Sequence, residues 1–63
     1  MKKYIGQVIR NRRQELNINQ QTLADLSGVG INTLVTVERG TGNPSLDTIE
    51  KLFSVLGLSI TVE

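Results

Sequence analysis

The sequence predicts an all-α domain of four short helices in a compact arrangement, followed by one short C-terminal β-strand. Three observations predict it. Apolar residues recur at helical spacing in four separate stretches. The breaks between these stretches carry capping and turn residues, namely Asn17, Asn19, Gly28, Gly40, Ser45 and Gly57. After Gly57 the period changes from helical to two, through Leu58, Ser59, Ile60, Thr61 and Val62.

The first helix is predicted over about Tyr4 to Leu16, where Ile5, Val8, Ile9 and Leu16 alternate with polar residues. Asn19 is a good N-cap for a second helix over Gln20 to Ser27, with Leu23, Ala24 and Leu26 apolar. Gly28 stops that helix because glycine enters a left-handed turn without steric cost. Val29 plugs the corner. The third helix is predicted over Ile31 to Glu38, with Leu34 and Val37 inward and Gly40 as its stop. Thr41, Gly42, Asn43 and Pro44 form a loop, and Ser45 caps the fourth helix. Leu46, Ile49, Leu52, Phe53, Val55 and Leu56 give that helix a wide apolar face ending at Gly57.

Composition removes several function classes. The 63 residues suit one compact unit, divided into a helical domain over 1–57 and a C-terminal strand over 58–63. No Cys and no His occur, so disulfides, thiolate chemistry, the commonest general base and the commonest metal ligand are missing. Ser27, Ser45, Ser54 and Ser59 have no His to activate them, and Asp47 and Glu50 share an exposed helix face. No enzyme and no cofactor is expected. Lys2 and Lys3 are not followed by the apolar run of a signal peptide or membrane span, so a cytoplasmic location is expected. Net charge is only +1, but Lys2, Lys3, Arg10, Arg12 and Arg13 precede every acid, so one end of the chain is positive.

The stretch Gln20 to Arg39 is the sharpest motif: two short helices joined by a tight glycine turn. Ala24 is small where the helices approach, Gly28 turns the chain, and Val29, Leu34 and Val37 pin the second of the pair. Asn19-Gln20-Gln21-Thr22-Leu23-Ala24, Gly28-Val29, Val37-Glu38-Arg39-Gly40 and Asn43-Pro44-Ser45-Leu46 together resemble the Cro/cI-like (XRE-type) helix-turn-helix repressors, whose fold is lambda-repressor-like. The resemblance runs from about Ile5 to Leu58. Within that family, Gly28-Val29-Gly30 and the ending Leu56 to Val62 are similar to HipB-type antitoxins. That likeness implies a C-terminal strand paired across a homodimer and a HipA-like kinase toxin as partner.

In such a domain the third helix would enter the major groove of double-stranded DNA. Its face opposite Leu34 and Val37 carries Ile31, Asn32, Val35 and Thr36 and holds no cation. Asn32 suits a bidentate pair with adenine, and Ile31, Val35 and the Thr36 methyl suit thymine methyl groups. Ile31 stands where the family usually has a polar residue. Gln20, with Gln21 beside it, lies at a helix N-terminus suited to phosphate. Asn43 is a second phosphate candidate, with Arg39 and Thr41 as helpers. The family pattern brings Arg13 and Glu38 together as a structural salt bridge.

The lone strand would leave its backbone groups unpaired, so a second copy is the expected partner. Leu52, Phe53, Val55, Leu56, Leu58, Ile60 and Val62 are the expected dimer residues. The operator should then be a near-palindrome. Two other uses of the fold fit the same residues: a phage-type or restriction-modification control repressor without a toxin, and a protein-interaction module.

Overall fold

A computed structural model describes residues 2–59. Four helices occur among them: α1 (Lys2–Glu15), α2 (Gln20–Ser27), α3 (Ile31–Arg39) and α4 (Leu46–Leu56). No helix among the described residues is long and apolar enough to cross a membrane.

Local chemistry sets the helix ends. Asn19 Oδ1 accepts the Thr22 N–H at 2.8 Å, and Ser45 Oγ accepts the Thr48 N–H at 3.2 Å. Each bond satisfies a donor that the helix start leaves open. Gly28, Gly40 and Gly57 are left-handed at the C-terminal ends of α2, α3 and α4. α1 ends before Leu16, because Asn17 takes a left-handed φ of 62° and turns the chain. Leu16, expected as the last residue of this helix, lies past its end and is exposed. α3 is one residue longer than expected and includes Arg39.

Among the described residues nine apolar side chains form the buried core: Ile9 from α1, Leu23 and Ala24 from α2, Val29 from the corner, Leu34 and Val37 from α3, and Ile49, Leu52 and Leu56 from α4. Each fully buried leucine or isoleucine contributes about 1.5–3 kcal/mol relative to an exposed one. Leu26 and Leu46 stay 63% exposed, so the covered faces of α2 and α4 are narrower than their apolar composition suggests.

The expected dimer surface needs correction here. Leu52 and Leu56 are 0% and 1% exposed inside their own domain, so neither is free to meet a second copy. Leu58 does not open a strand. Its N–H donates to the Phe53 carbonyl at 2.9 Å and closes the C-terminal cap of α4. Phe53, Val55 and Leu58 are half-buried against the core. Ile60 and Val62, with the rest of the strand expected over 58–63, lie outside the described residues.

The crossing of α1 over α3 depends on Gly6, which sequence periodicity does not single out. Gly6 is buried, and a Cβ there would run into the Val37 carbonyl oxygen. Gly6→Ala gains about 1 kcal/mol of helix propensity. Overpacking costs about 1–3 kcal/mol, so the variant should be net less stable. Urea unfolding should show a lower midpoint with unchanged native helix content; a higher midpoint would mean that α1 and α3 are not pressed together at this point.

Candidate nucleic-acid interface

α3 stands as a ridge with a committed inner side and a free outer side. Leu34, Val37 and Glu38 are buried, and Ile31 is half-buried against the core. Asn32, Thr33 and Arg39 are exposed, with Val35 and Thr36 half-buried at the flanks. Asn32, Thr36 and Arg39 follow one another at helical spacing along the outer face. The extra residue of α3 therefore puts a guanidinium on a face expected to carry no cation. Thr33, also absent from the expected readers, joins this face beside Asn32.

Two depressions flank the ridge. A groove of about 300 Å³ is lined by Asn32, Thr33, Thr36, Val37, Asn43 and Pro44. The α3–α4 loop thus carries Asn43 to the side of Asn32. Across the ridge a cleft of about 410 Å³ is lined by Arg10, Arg13, Gln20, Val35, Glu38 and Arg39. The Thr36 hydroxyl donates to the Asn32 carbonyl at 2.9 Å, and the Thr36 methyl lies close to Gly42. That hydroxyl keeps only its acceptor capacity for an outside partner.

The phosphate candidates differ in how free they are. Gln20 Nε2 donates to Glu38 Oε1 at 3.3 Å, and Gln21 Nε2 donates to Asp25 Oδ1 at 2.9 Å. Both side chains therefore have internal partners. Their backbone N–H groups do not have intrahelical ones, because α2 begins at Gln20. Those two groups and the positive end of the helix dipole are what α2 can offer an anion. Thr41 is tied back to the Thr36 carbonyl by its N–H at 3.2 Å and its hydroxyl at 3.4 Å. Asn43 is exposed.

Behind the ridge lies the ion pair. Arg13 Nε meets Glu38 Oε2 at 2.7 Å, and Arg13 Nη2 donates to Glu38 Oε1 at 2.9 Å. The third guanidinium nitrogen, Nη1, donates to the Ile18 carbonyl at 3.0 Å. The two side chains are only 11% and 4% exposed. The hydrogen bond to Glu38 raises the Arg13 pKa above its ordinary value; desolvation opposes this and the Glu38 charge adds to it. The neighbouring Arg12 donates from Nε to the Leu56 carbonyl at 3.0 Å, closing the end of α4. In the sequence Arg12 shows only as a source of positive field.

A family model described as helix-turn-helix matches residues 9–62. The chain belongs to the helix-turn-helix family. Its similar proteins are transcriptional regulators. The cryptic phage CTXphi transcriptional repressor RstR of Vibrio cholerae is 44% identical over 52 residues, covering 82% of this chain and 47% of the repressor. The immunity repressor protein of Bacillus phage phi105 is 33% identical over 57 residues, covering 90% of this chain and 40% of its own length. The regulator PuuR of Escherichia coli K12 is 32% identical over 56 residues, covering 89% of this chain and 30% of its own length. The chain spans less than half the length of each of these three.

In this helix-turn-helix domain the two elements of the motif are α2 and α3, and the buried ion pair links both to α1 through Gln20, Glu38 and Arg13. Removing one partner of a buried pair costs about 3–5 kcal/mol, because the other charge is stranded. A chain of this length has about 3–9 kcal/mol of stability in all. Glu38→Ala should therefore lose about a third or more of the stability and melt far below the parent by circular dichroism, and a variant melting close to the parent would show that the pair carries little. The raised Arg13 pKa adds a sign. Its contribution is complete below the unfolded-state arginine value and is lost only as pH rises through the higher folded value. Titration of Arg13 should thus leave stability unchanged across the neutral range.

Proposed function

We propose that this chain is the operator-binding region of a homodimeric transcriptional repressor, with α3 set into the major groove of double-stranded DNA. The observation that carries the reading is the outer face of α3. It presents Asn32, Thr33, Thr36 and Arg39 between two depressions, on a helix of only nine residues. Family membership and the repressor names of two relatives support the same conclusion.

Asn32 makes the adenine contact in this reading. Val35 and the Thr36 methyl meet thymine methyl groups; Ile31, half-buried at the start of the helix, contributes only its outer edge. The backbone N–H groups of Gln20 and Gln21 take one phosphate, and Asn43 takes another, with Arg39 and Thr41 beside the ridge. Two copies set their α3 helices about 34–36 Å apart in successive major grooves. Phe53, Val55 and Leu58, with Ile60 and Val62 beyond them, form the contact between copies. The chain works in the cytoplasm.

Between the narrower readings, the phage-repressor names of two relatives favour a phage-type repressor without a toxin. The ending Leu56 to Val62 favours a HipB-type antitoxin with a HipA-like kinase partner. The adjacent reading frame separates them: a kinase gene there supports the antitoxin. Selection of bound duplexes from random oligonucleotides tests the common reading. It should return a near-palindrome with half-sites one helical turn apart, and recovery of no preferred sequence would refute it. On the selected duplex, Asn32→Ala should lose about 1–3 kcal/mol and relax preference at one base pair. Equal losses on every sequence would move Asn32 to the phosphate backbone.

A further inference from the structure

We propose that Arg10 of α1 and Arg39 at the end of α3 together grip a single backbone phosphate of the bound duplex, on the Val35 side of the ridge. The inference rests on the DNA-binding reading above and adds a residue from outside the two-helix motif.

Both arginines are exposed, and both line the same cleft of about 410 Å³. Three guanidinium groups face that cleft against one carboxylate, Glu38. Glu38 is already held by Arg13 through two bonds and by Gln20 through a third. Its charge is cancelled by Arg13, so the cleft keeps the charges of Arg10 and Arg39. No ion pair involves either residue among the described residues, whereas Arg12, Arg13 and Lys51 each have an acidic partner. The C-terminal end of α3 brings about half a negative charge nearby, which leaves the cleft clearly positive.

Geometry favours a phosphodiester over other anions. Arg10 lies one helical turn before Arg13 on α1, so it sits beside the ion pair that locks α1 to α3. Its stem therefore starts from a fixed position. Arg39 comes from the opposite wall and follows Asn32 and Thr36 on the outer face. A guanidinium from each of α1 and α3 suits the two free oxygens of one phosphate. Asn43 lies across the ridge, at the other depression. Anchors on both sides would fix the rotation of α3 about its own axis, which one anchor leaves free.

The test is a methylphosphonate scan, in which single phosphates of the selected duplex are made neutral one at a time and binding is read by fluorescence anisotropy. For the parent protein, one position in each half-site should weaken binding about tenfold, the size expected of a charge-assisted contact. Arg10→Gln and Arg39→Gln should each reduce that penalty to about two- or threefold, and at the same position. Both residues are exposed, so both variants should keep the native circular dichroism spectrum. Lys51→Gln removes an equal charge from α4 and should leave the tenfold penalty intact. An undiminished penalty in Arg10→Gln overturns the proposal, as does a loss at different phosphates for the two arginine variants. If the parent protein binds no duplex in a salt-sensitive way, the DNA-binding reading itself is wrong and the clamp falls with it.

Discussion

The buried contact between Arg13 and Glu38 is the constraint on which the rest of the molecule depends. A carboxylate on α3 with 4% of its side chain exposed is tolerable only if a cation meets it. Arg13 does so with two bonds, spends its third nitrogen on the Ile18 carbonyl, and leaves Gln20 to complete the shell. These bonds join α1, the α1–α2 turn, α2 and α3 at one place. A pair of this kind adds little net stability over a well-packed apolar pair. Its consequence is an arrangement: any shift of α3 along or around α1 strands a charge. Gly6 permits the same close approach from the other direction, because no side chain separates α1 from the α3 backbone.

That arrangement turns a nine-residue helix into a presented surface. Short helices are marginal alone and take their stability from packing. Leu34 and Val37 supply the packing, and Val29 fills the corner left by the left-handed Gly28. The outer residues Asn32, Thr33 and Arg39 are then free of structural duty, whereas Thr36 bonds the Asn32 carbonyl through its hydroxyl and sets its methyl close to Gly42. The division of labour along α3 is therefore complete within about two and a half turns. One side is spent on the fold, and the other is available for recognition.

Much of this is legible in the sequence because it rests on local chemistry. Asn19 and Ser45 act as caps, and Gly28, Gly40 and Gly57 as left-handed stops, since each property belongs to a residue and its immediate neighbours. Features that need a third element are not legible. Periodicity marks Leu26, Leu46, Leu52 and Leu56 as apolar alike, but only packing decides that the first two are exposed and the last two buried. Gly6 resembles any helical glycine until α3 is placed against it. Arg39 falls just past the predicted end of α3, because helix ends are uncertain by about a residue or two, and that single residue changes the charge of the outer face. Arg10 shows in the sequence only as a contributor to a general positive field, and its sharing of a cleft with Val35 and Arg39 is a long-range fact.

The most direct test of α3 as the recognition surface is an amide chemical-shift titration of the whole chain with duplex DNA. The largest shifts are expected at Asn32, Thr33, Thr36, Asn43 and the first two residues of α2, with little change across Leu26, Lys51 and Val55. Large shifts at Leu26, Lys51 and Val55, with the outer face of α3 unmoved, would contradict it.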